Sequence, residues 1–141
     1  MSFSKISHKN HKQNLGQFFT TNSDYILQGL EQFISNKNVT DPFAGNQDLL
    51  NWAKKNNCQN AIGFDIDKNF VDHKNVELND SLNLAKDYDF VCTNPPYLHK
   101  NKSSKTIKEA FFSGKNSCFE DLYQIAIFSI SNCNEGILIV G

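Results

Sequence analysis

Asp89-Phe90-Val91-Cys92-Thr93-Asn94-Pro95-Pro96-Tyr97 runs from a short apolar stretch into an amide, two prolines and an aromatic ring. The segment Asp89 to Thr93 reads as a buried strand, so the last four residues fall where a strand hands over to a loop. Open α/β sheets keep their ligands at that end of their strands. Adjacent prolines remove two backbone donors and fix φ, which stops the ladder and leaves the Asn94 amide and the Pro95 carbonyl pointing into a cleft. An amide, a stiff turn and a ring are what is needed to grip a planar molecule by an exocyclic amino group. Alone, Asn-Pro-Pro is equally compatible with a plain strand-ending turn. Its neighbours decide between the two.

Upstream, Val39-Thr40 leads into Asp41-Pro42-Phe43-Ala44-Gly45, a short strand ending in a turn, and Leu49, Leu50, Trp52 and Ala53 mark a helix after it. Ala61-Ile62-Gly63-Phe64-Asp65 is a second apolar run that stops at an acid, and Val76-Glu77-Leu78 is a third, ending in Asn79-Asp80. Before all of these, Ile26, Leu27, Leu30, Phe33 and Ile34 follow helical spacing, which predicts one helix from Asp24 to Ile34 with Asn22 or Ser23 as N-cap. Downstream, a basic loop from His99 to Lys115 precedes a strongly apolar helix from about Phe119 to Ser131, and Gly136 opens a last strand through Ile137, Leu138, Ile139 and Val140. Strands alternating with helices predict a parallel sheet covered on both faces. The last strand has the composition of one buried on both faces, and a bare far edge on such a strand invites association. The natural protein is therefore expected to continue beyond Gly141.

At 141 residues the chain is one domain by length, with residues 1–13 expected as a flexible arm and 14–141 as the folded unit. No apolar run approaches the ~20 residues of a membrane span, and the polar, Lys-bearing start has no signal-peptide core, which predicts a cytoplasmic protein without a membrane partner. Cys58, Cys92, Cys118 and Cys133 are scattered with no Cys-x-x-Cys spacing, so neither a metal site nor a disulfide scaffold is expected. A net charge of -1 does not advertise nucleic-acid binding. Local charge does so a little, at Lys5, His8, Lys9, His11 and Lys12 and again at Lys100, Lys102, Lys105 and Lys108, although solvated surface accounts for either run.

In a doubly wound sheet Asp41, Asp65, Asp80 and Asn94 would lie along one rim. Gly45 lets a ligand approach the backbone where the chain turns from strand to helix, or simply makes the turn. Asp65 stands where a carboxylate accepts from ribose hydroxyls, or else caps a helix starting at Asp67. Asp80 is placed to accept from an adenine amino group, or to form a turn with Asn79. There is no Gly-x-Gly-x-x-Gly, no Gly-Lys-Ser or Gly-Lys-Thr, and no His or Cys array. These absences argue against a dinucleotide dehydrogenase, a P-loop enzyme and a zinc hydrolase. An adenosine-bearing ligand without a pyrophosphate fits better, and S-adenosylmethionine is the obvious candidate.

Taken in order, these segments resemble the amino-methyltransferases that act on DNA, most of all the γ-class adenine-N6 enzymes, over nearly the whole chain after residue 13. Gly16-Gln17-Phe18-Phe19-Thr20 is similar to the family's N-terminal cofactor motif, and Asp41-Pro42-Phe43-Ala44-Gly45-Asn46 to its first-strand motif. Gly63-Phe64-Asp65-Ile66-Asp67 is similar to the ribose-binding motif, Asp80-Ser81 to the adenine-contacting one, and Asn94-Pro95-Pro96-Tyr97 to the catalytic one. Asp121-Leu122-Tyr123 is similar to the start of the pocket-lining helix. The resemblance implies a Rossmann-like, doubly wound sheet lacking its last strands and a target-recognition domain, so residues 1–141 alone are expected to be inactive on DNA. It implies S-adenosylmethionine held by Gln17 to Thr20, Asp41 to Gly45, Asp65, Ile66, Asp80, Ser81 and Asn94. It implies double-stranded DNA as partner, a target adenine swung out of the duplex and stacked on Tyr97, methyl transfer to N6 beside Asn94 and Pro95, and a restriction endonuclease as possible companion. Protein glutamine and RNA base methyltransferases share the catalytic residues, and a non-catalytic cofactor-binding fragment is a reading of a different class. One departure stands out: the family reads Gly-Asn-Gly or close to it where this chain has Gly45-Asn46-Gln47, and a Gln47 side chain is expected to crowd the cofactor's carboxylate.

Overall fold

The structure is a computed structural model that describes residues 19–140. Gln17, Phe18 and the residues of the expected arm lie outside the described residues. Five strands form one parallel sheet: β1 (Asn38–Asp41), β2 (Asn60–Asp65), β3 (Val76–Leu78), β4 (Phe90–Thr93) and β5 (Glu135–Leu138), in the spatial order β3-β2-β1-β4-β5. The order reverses between β1 and β4. Because every strand runs the same way, Asp80, Asp65, Asp41 and Asn94 follow one another along the carboxyl edge. This is the Rossmann-like, doubly wound α/β fold that the alternation of elements predicts.

Two short helices, α1 (Ser23–Ile26) and α2 (Glu31–Ile34), pack with α3 (Asp48–Lys55) against one face. Their core unites Leu27, Ile34, Leu49, Trp52 and Ala53 with Val39, Phe90 and Cys92. The expected single helix over Asp24–Ile34 is broken at Gly29, whose φ of +90° few L-residues adopt, and the Gly29 N–H donates to the Glu31 carboxylate instead of continuing the helix. Asn22 holds the N-cap position of α1 but makes no side-chain cap bond.

The opposite face is covered around Tyr88, Val91 and Ile130, the last following α5 (Leu122–Ser129). The basic stretch is not a loop. It holds α4 (Lys105–Phe111), started by the Ser104 hydroxyl accepting from the Ile107 N–H, between 3-10 turns at Lys100–Lys102 and Gly114–Asn116. The periodic residues Ile107 and Phe111 join Leu82, Phe112, Leu122 and Ile125 in a separate core beside the sheet's carboxyl edge. The expectation for the final strand needs correcting. β5 lies at the sheet's edge with Glu135, Gly136 and Leu138 exposed and Ile137 half-buried, because only its Ile137 and Ile139 side reaches the first core.

Gly63 lets α3 and the Pro42–Gly45 turn close on β2. A Cβ there would fall 2.7 Å from the Ala44 Cβ and 2.8 Å from the Leu50 Cδ1, both in a packed cluster with Val76. Gly63→Ala is expected to destabilise the fold by about 2 kcal/mol through overpacking, read as a lower urea midpoint at unchanged slope. Unaltered stability would mean that the helix is free to move away.

Candidate functional site

The site grows from the turn after β1. Asp41 is buried, and its Oδ1 accepts from the Phe43 N–H at 3.0 Å and from the Thr93 hydroxyl of β4. The first bond closes the Pro42 turn and the second ties β1 to β4 at the point where the order reverses. Gly45 follows with φ +52°, and its N–H donates to Asp65 Oδ2 at 2.8 Å. The other Asp65 oxygen accepts from the Asp67 N–H at 2.8 Å. Asp65 is 0% exposed and latches the turn after β1 to the turn after β2. It lines neither pocket described below but lies beneath the Gly45 turn that lines the first. The helix-capping alternative weighed for Asp65 falls to Asp67, which accepts from the Asn69 N–H to start the 3-10 turn Lys68–Phe70.

Two pockets adjoin at Phe43. The first is polar and is lined among others by Phe19, Thr20, Asp41, Gly45, Asn46 and Asn94. The second is a mainly apolar slot among Ile66, Leu82, Pro96 and Phe111, with Asn79, Asp80 and Ser81 as its polar side. Phe43 lines both, and the Asn94-Pro95-Pro96 segment reaches from one to the other. Phe19 also packs edge-on against Phe70, with ring centroids 5.7 Å apart.

Asn94 donates its Nδ2 to the Thr20 hydroxyl at 3.2 Å, and among the described residues its Oδ1 takes no hydrogen bond. That oxygen is a preformed acceptor. Pro95 and Pro96 are buried, while Tyr97 is half-buried, its hydroxyl donating to the Ile139 carbonyl at 2.7 Å and its ring tilted against Tyr123 at 5.6 Å. Beyond Tyr97 the chain is stitched to the start of α5: the Leu98 N–H donates to the Asp121 carboxylate, the Leu122 N–H to the Leu98 carbonyl and the Lys100 N–H to the Glu120 carbonyl. Asp121 also caps α5, with Gln124 returning a bond to the Asp121 N–H in a capping box. Burial and the nearby Asp41 carboxylate push the Cys92 thiol well above its ordinary range, so it stays an inert, protonated core group.

Gln47 does not enter either pocket. It takes a left-handed conformation at φ +66° and turns its amide outward to donate to Asp72 Oδ2 at 2.9 Å. Asp72 in turn accepts from the Val76, Lys74 and Asn75 N–H groups, which together with Gln47 hold its carboxyl well below the usual range. The space expected to be crowded is therefore left open. Gln47→Gly is expected to change cofactor affinity by no more than about twofold, the scale of a surface substitution. A large gain in affinity by calorimetry would restore the crowding idea.

Among the basic residues, Lys100 is occupied, donating to the Ser117 carbonyl and lying 5.9 Å from the Phe112 ring centre, whereas Lys102, Lys105 and Lys108 are exposed. Among the described residues no group of three or more His, Cys, Asp or Glu is placed to hold a metal, and no helix is long and apolar enough to cross a membrane. Asp48 and Leu49 of the first pocket and Leu82 and Phe111 of the second were not anticipated as site residues from the sequence. The signal for Phe111 was its spacing of four from Ile107 behind a Ser cap, masked by the surrounding lysines. No protein-family model matches the chain, and no curated protein matches it. The functional reading rests on the site itself.

Proposed function

We propose that the chain transfers a methyl group from S-adenosylmethionine to the N6 amino group of adenine in DNA. The observation that supports this is the pair of adjoining pockets, one rich in acceptors and one apolar with a single carboxylate, that meet beside Asn94 and Pro96. The two ends suit the two ends of that cofactor. Thr20, Asp41 and the Gly45 turn would receive the amino-acid end, and the slot between Phe43, Ile66, Leu82 and Phe111 would take the adenine ring, with Asp80 accepting from its amino group. When bound, the cofactor supplies an electrophilic methyl group on a sulfonium.

The amino nitrogen of adenine is a weak nucleophile because its lone pair is spread into the ring. Asn94 Oδ1 and the Pro95 carbonyl, accepting its two N–H bonds, would favour a pyramidal nitrogen and strengthen their hold as positive charge develops there. With its nitrogen on the Thr20 hydroxyl, the amide offers its oxygen. So held, the amino nitrogen would be placed to take the methyl group from the sulfonium, whose sulfur would keep the electron pair, and to give up its extra proton to solvent. The duplex must release the base first, and the Tyr97 ring, pinned by Ile139 and Tyr123, would be the surface that receives it.

Titration calorimetry with S-adenosylmethionine, followed by analysis of N6-methyladenine in duplex DNA, tests both halves. No heat of binding would sink the reading. Binding with transfer only to RNA or to a glutamine amide would keep the chemistry and change the substrate; binding without transfer, unless a chain extended beyond Gly141 restores it, would leave a cofactor-binding module.

A further inference from the structure

Asp80 is held from two directions. Its Oδ1 accepts from the Leu82 and Asn83 N–H groups of its own turn, at 3.2 and 3.3 Å, and its Oδ2 accepts from the Asn83 side-chain amide at 2.8 Å. The same Asn83 Nδ2 donates to the Ala110 carbonyl of α4 at 2.9 Å, and Asn83 Oδ1 accepts from Asn116 Nδ2 at 3.4 Å. Both amide hydrogens are therefore used on oxygens and the amide oxygen faces a donor, so the amide has one workable orientation. Turned over, it would set its oxygen against a carboxylate and a carbonyl. Asn116, at the inner end of the relay, is 1% exposed and Asn83 is half-buried, while the bond to Ala110 lies at the surface. The relay also ties the Asp80 turn to α4, whose Phe111 walls the slot opposite.

We infer that Asn83 is a positioning residue that fixes Asp80 as a rigid acceptor and thereby makes the slot select a ring bearing an amino group over one bearing a carbonyl at the same place. The inference rests on the slot being the adenine pocket proposed above. A carboxylate can only accept, so a carbonyl brought against it is repelled and gains no hydrogen bond there. That penalty is enforced only while Asp80 cannot swing aside. Without the Asn83 amide the carboxylate loses its shortest bond, at 2.8 Å, and keeps only the two longer backbone bonds to Oδ1, at 3.2 and 3.3 Å, about which Oδ2 can turn, and the slot then tolerates either ring.

The probes are S-adenosylhomocysteine and its counterpart carrying hypoxanthine in place of adenine. By calorimetry the wild-type chain is expected to favour the adenine form by roughly 10- to 100-fold, the scale of an unpaired buried polar group. Asn83→Ala is expected to bring the two within about threefold, chiefly by binding the hypoxanthine form better. Asn83→Asp keeps the volume but cannot donate, and is expected to lose the preference as well; it serves if the alanine variant folds poorly. Variants that retain the wild-type preference, even with a lowered melting temperature, would show Asn83 to be structural only and overturn the inference. A wild-type chain that binds neither probe refutes the cofactor reading itself. One that binds both equally refutes the selection by Asp80 while leaving cofactor binding in place.

Discussion

Asn94→Ala is expected to lower the methyl-transfer rate by about 100- to 1000-fold, the scale seen when a preorganised partner of a developing charge is removed. Cofactor affinity should fall by less than about tenfold, because the variant loses one half-buried bond to Thr20 and leaves Asp41, the Gly45 turn and the Asp80 slot in place. The split between rate and affinity is the diagnostic feature, since an interaction made only at the transition state changes the first and spares the second. Asn94→Asp is expected to keep more activity than alanine does. A carboxylate oxygen still accepts, and the Thr20 hydroxyl can reverse its role and donate to it. Single-turnover rates and binding constants for the three proteins check this. Normal turnover in Asn94→Ala would overturn the assignment.

The second large effect is on the fold. Asp65→Ala removes the acceptor of two backbone N–H groups, on Gly45 and Asp67, in a place with no access to water. Each orphaned donor costs about 1–3 kcal/mol, so a total loss of about 3 kcal/mol or more is expected, with the urea midpoint falling by more than about 1 M. Asp65→Asn recovers at most part of this, because one acceptor becomes a donor facing an N–H. Wild-type stability in Asp65→Ala would mean that the latch between the two turns is not formed. This places the acid at the end of β2 first as a girder. Any contact with a ribose would come through the Gly45 turn that it holds.

The architecture was legible because each strand is short, apolar and closed by its own polar residue. Val76–Leu78 was read to the residue, and Asp89–Thr93 differs from β4 only by its first position. Errors came where a local signal pulled against the tertiary setting. Helical spacing over Asp24–Ile34 outweighed Gly29, yet the left-handed backbone at that glycine ends α1. Apolar composition in Ile137–Val140 suggested double-sided burial, but burial of an edge strand depends on what packs over it, and Val140 is 63% exposed. The lysines around Ile107 and Phe111 hid a helix whose inner side is apolar. At the site, the residue types were readable but not their partners. No pattern says that Gln47 turns outward to Asp72, or that Asn83 reaches Ala110, since these contacts join residues 25 and 27 positions apart.

The stitching of Leu98 and Lys100 to Glu120, Asp121 and Leu122 has a kinetic consequence. One carboxylate nucleates a helix and anchors the peptide that carries the prolines, so neither piece can fray alone. Their amide protons should exchange with solvent in a single concerted opening, as one unit with one protection factor. The loop after β4 thus inherits its rigidity from a neighbouring helix, and a strand's end that would otherwise wander behaves as part of a solid.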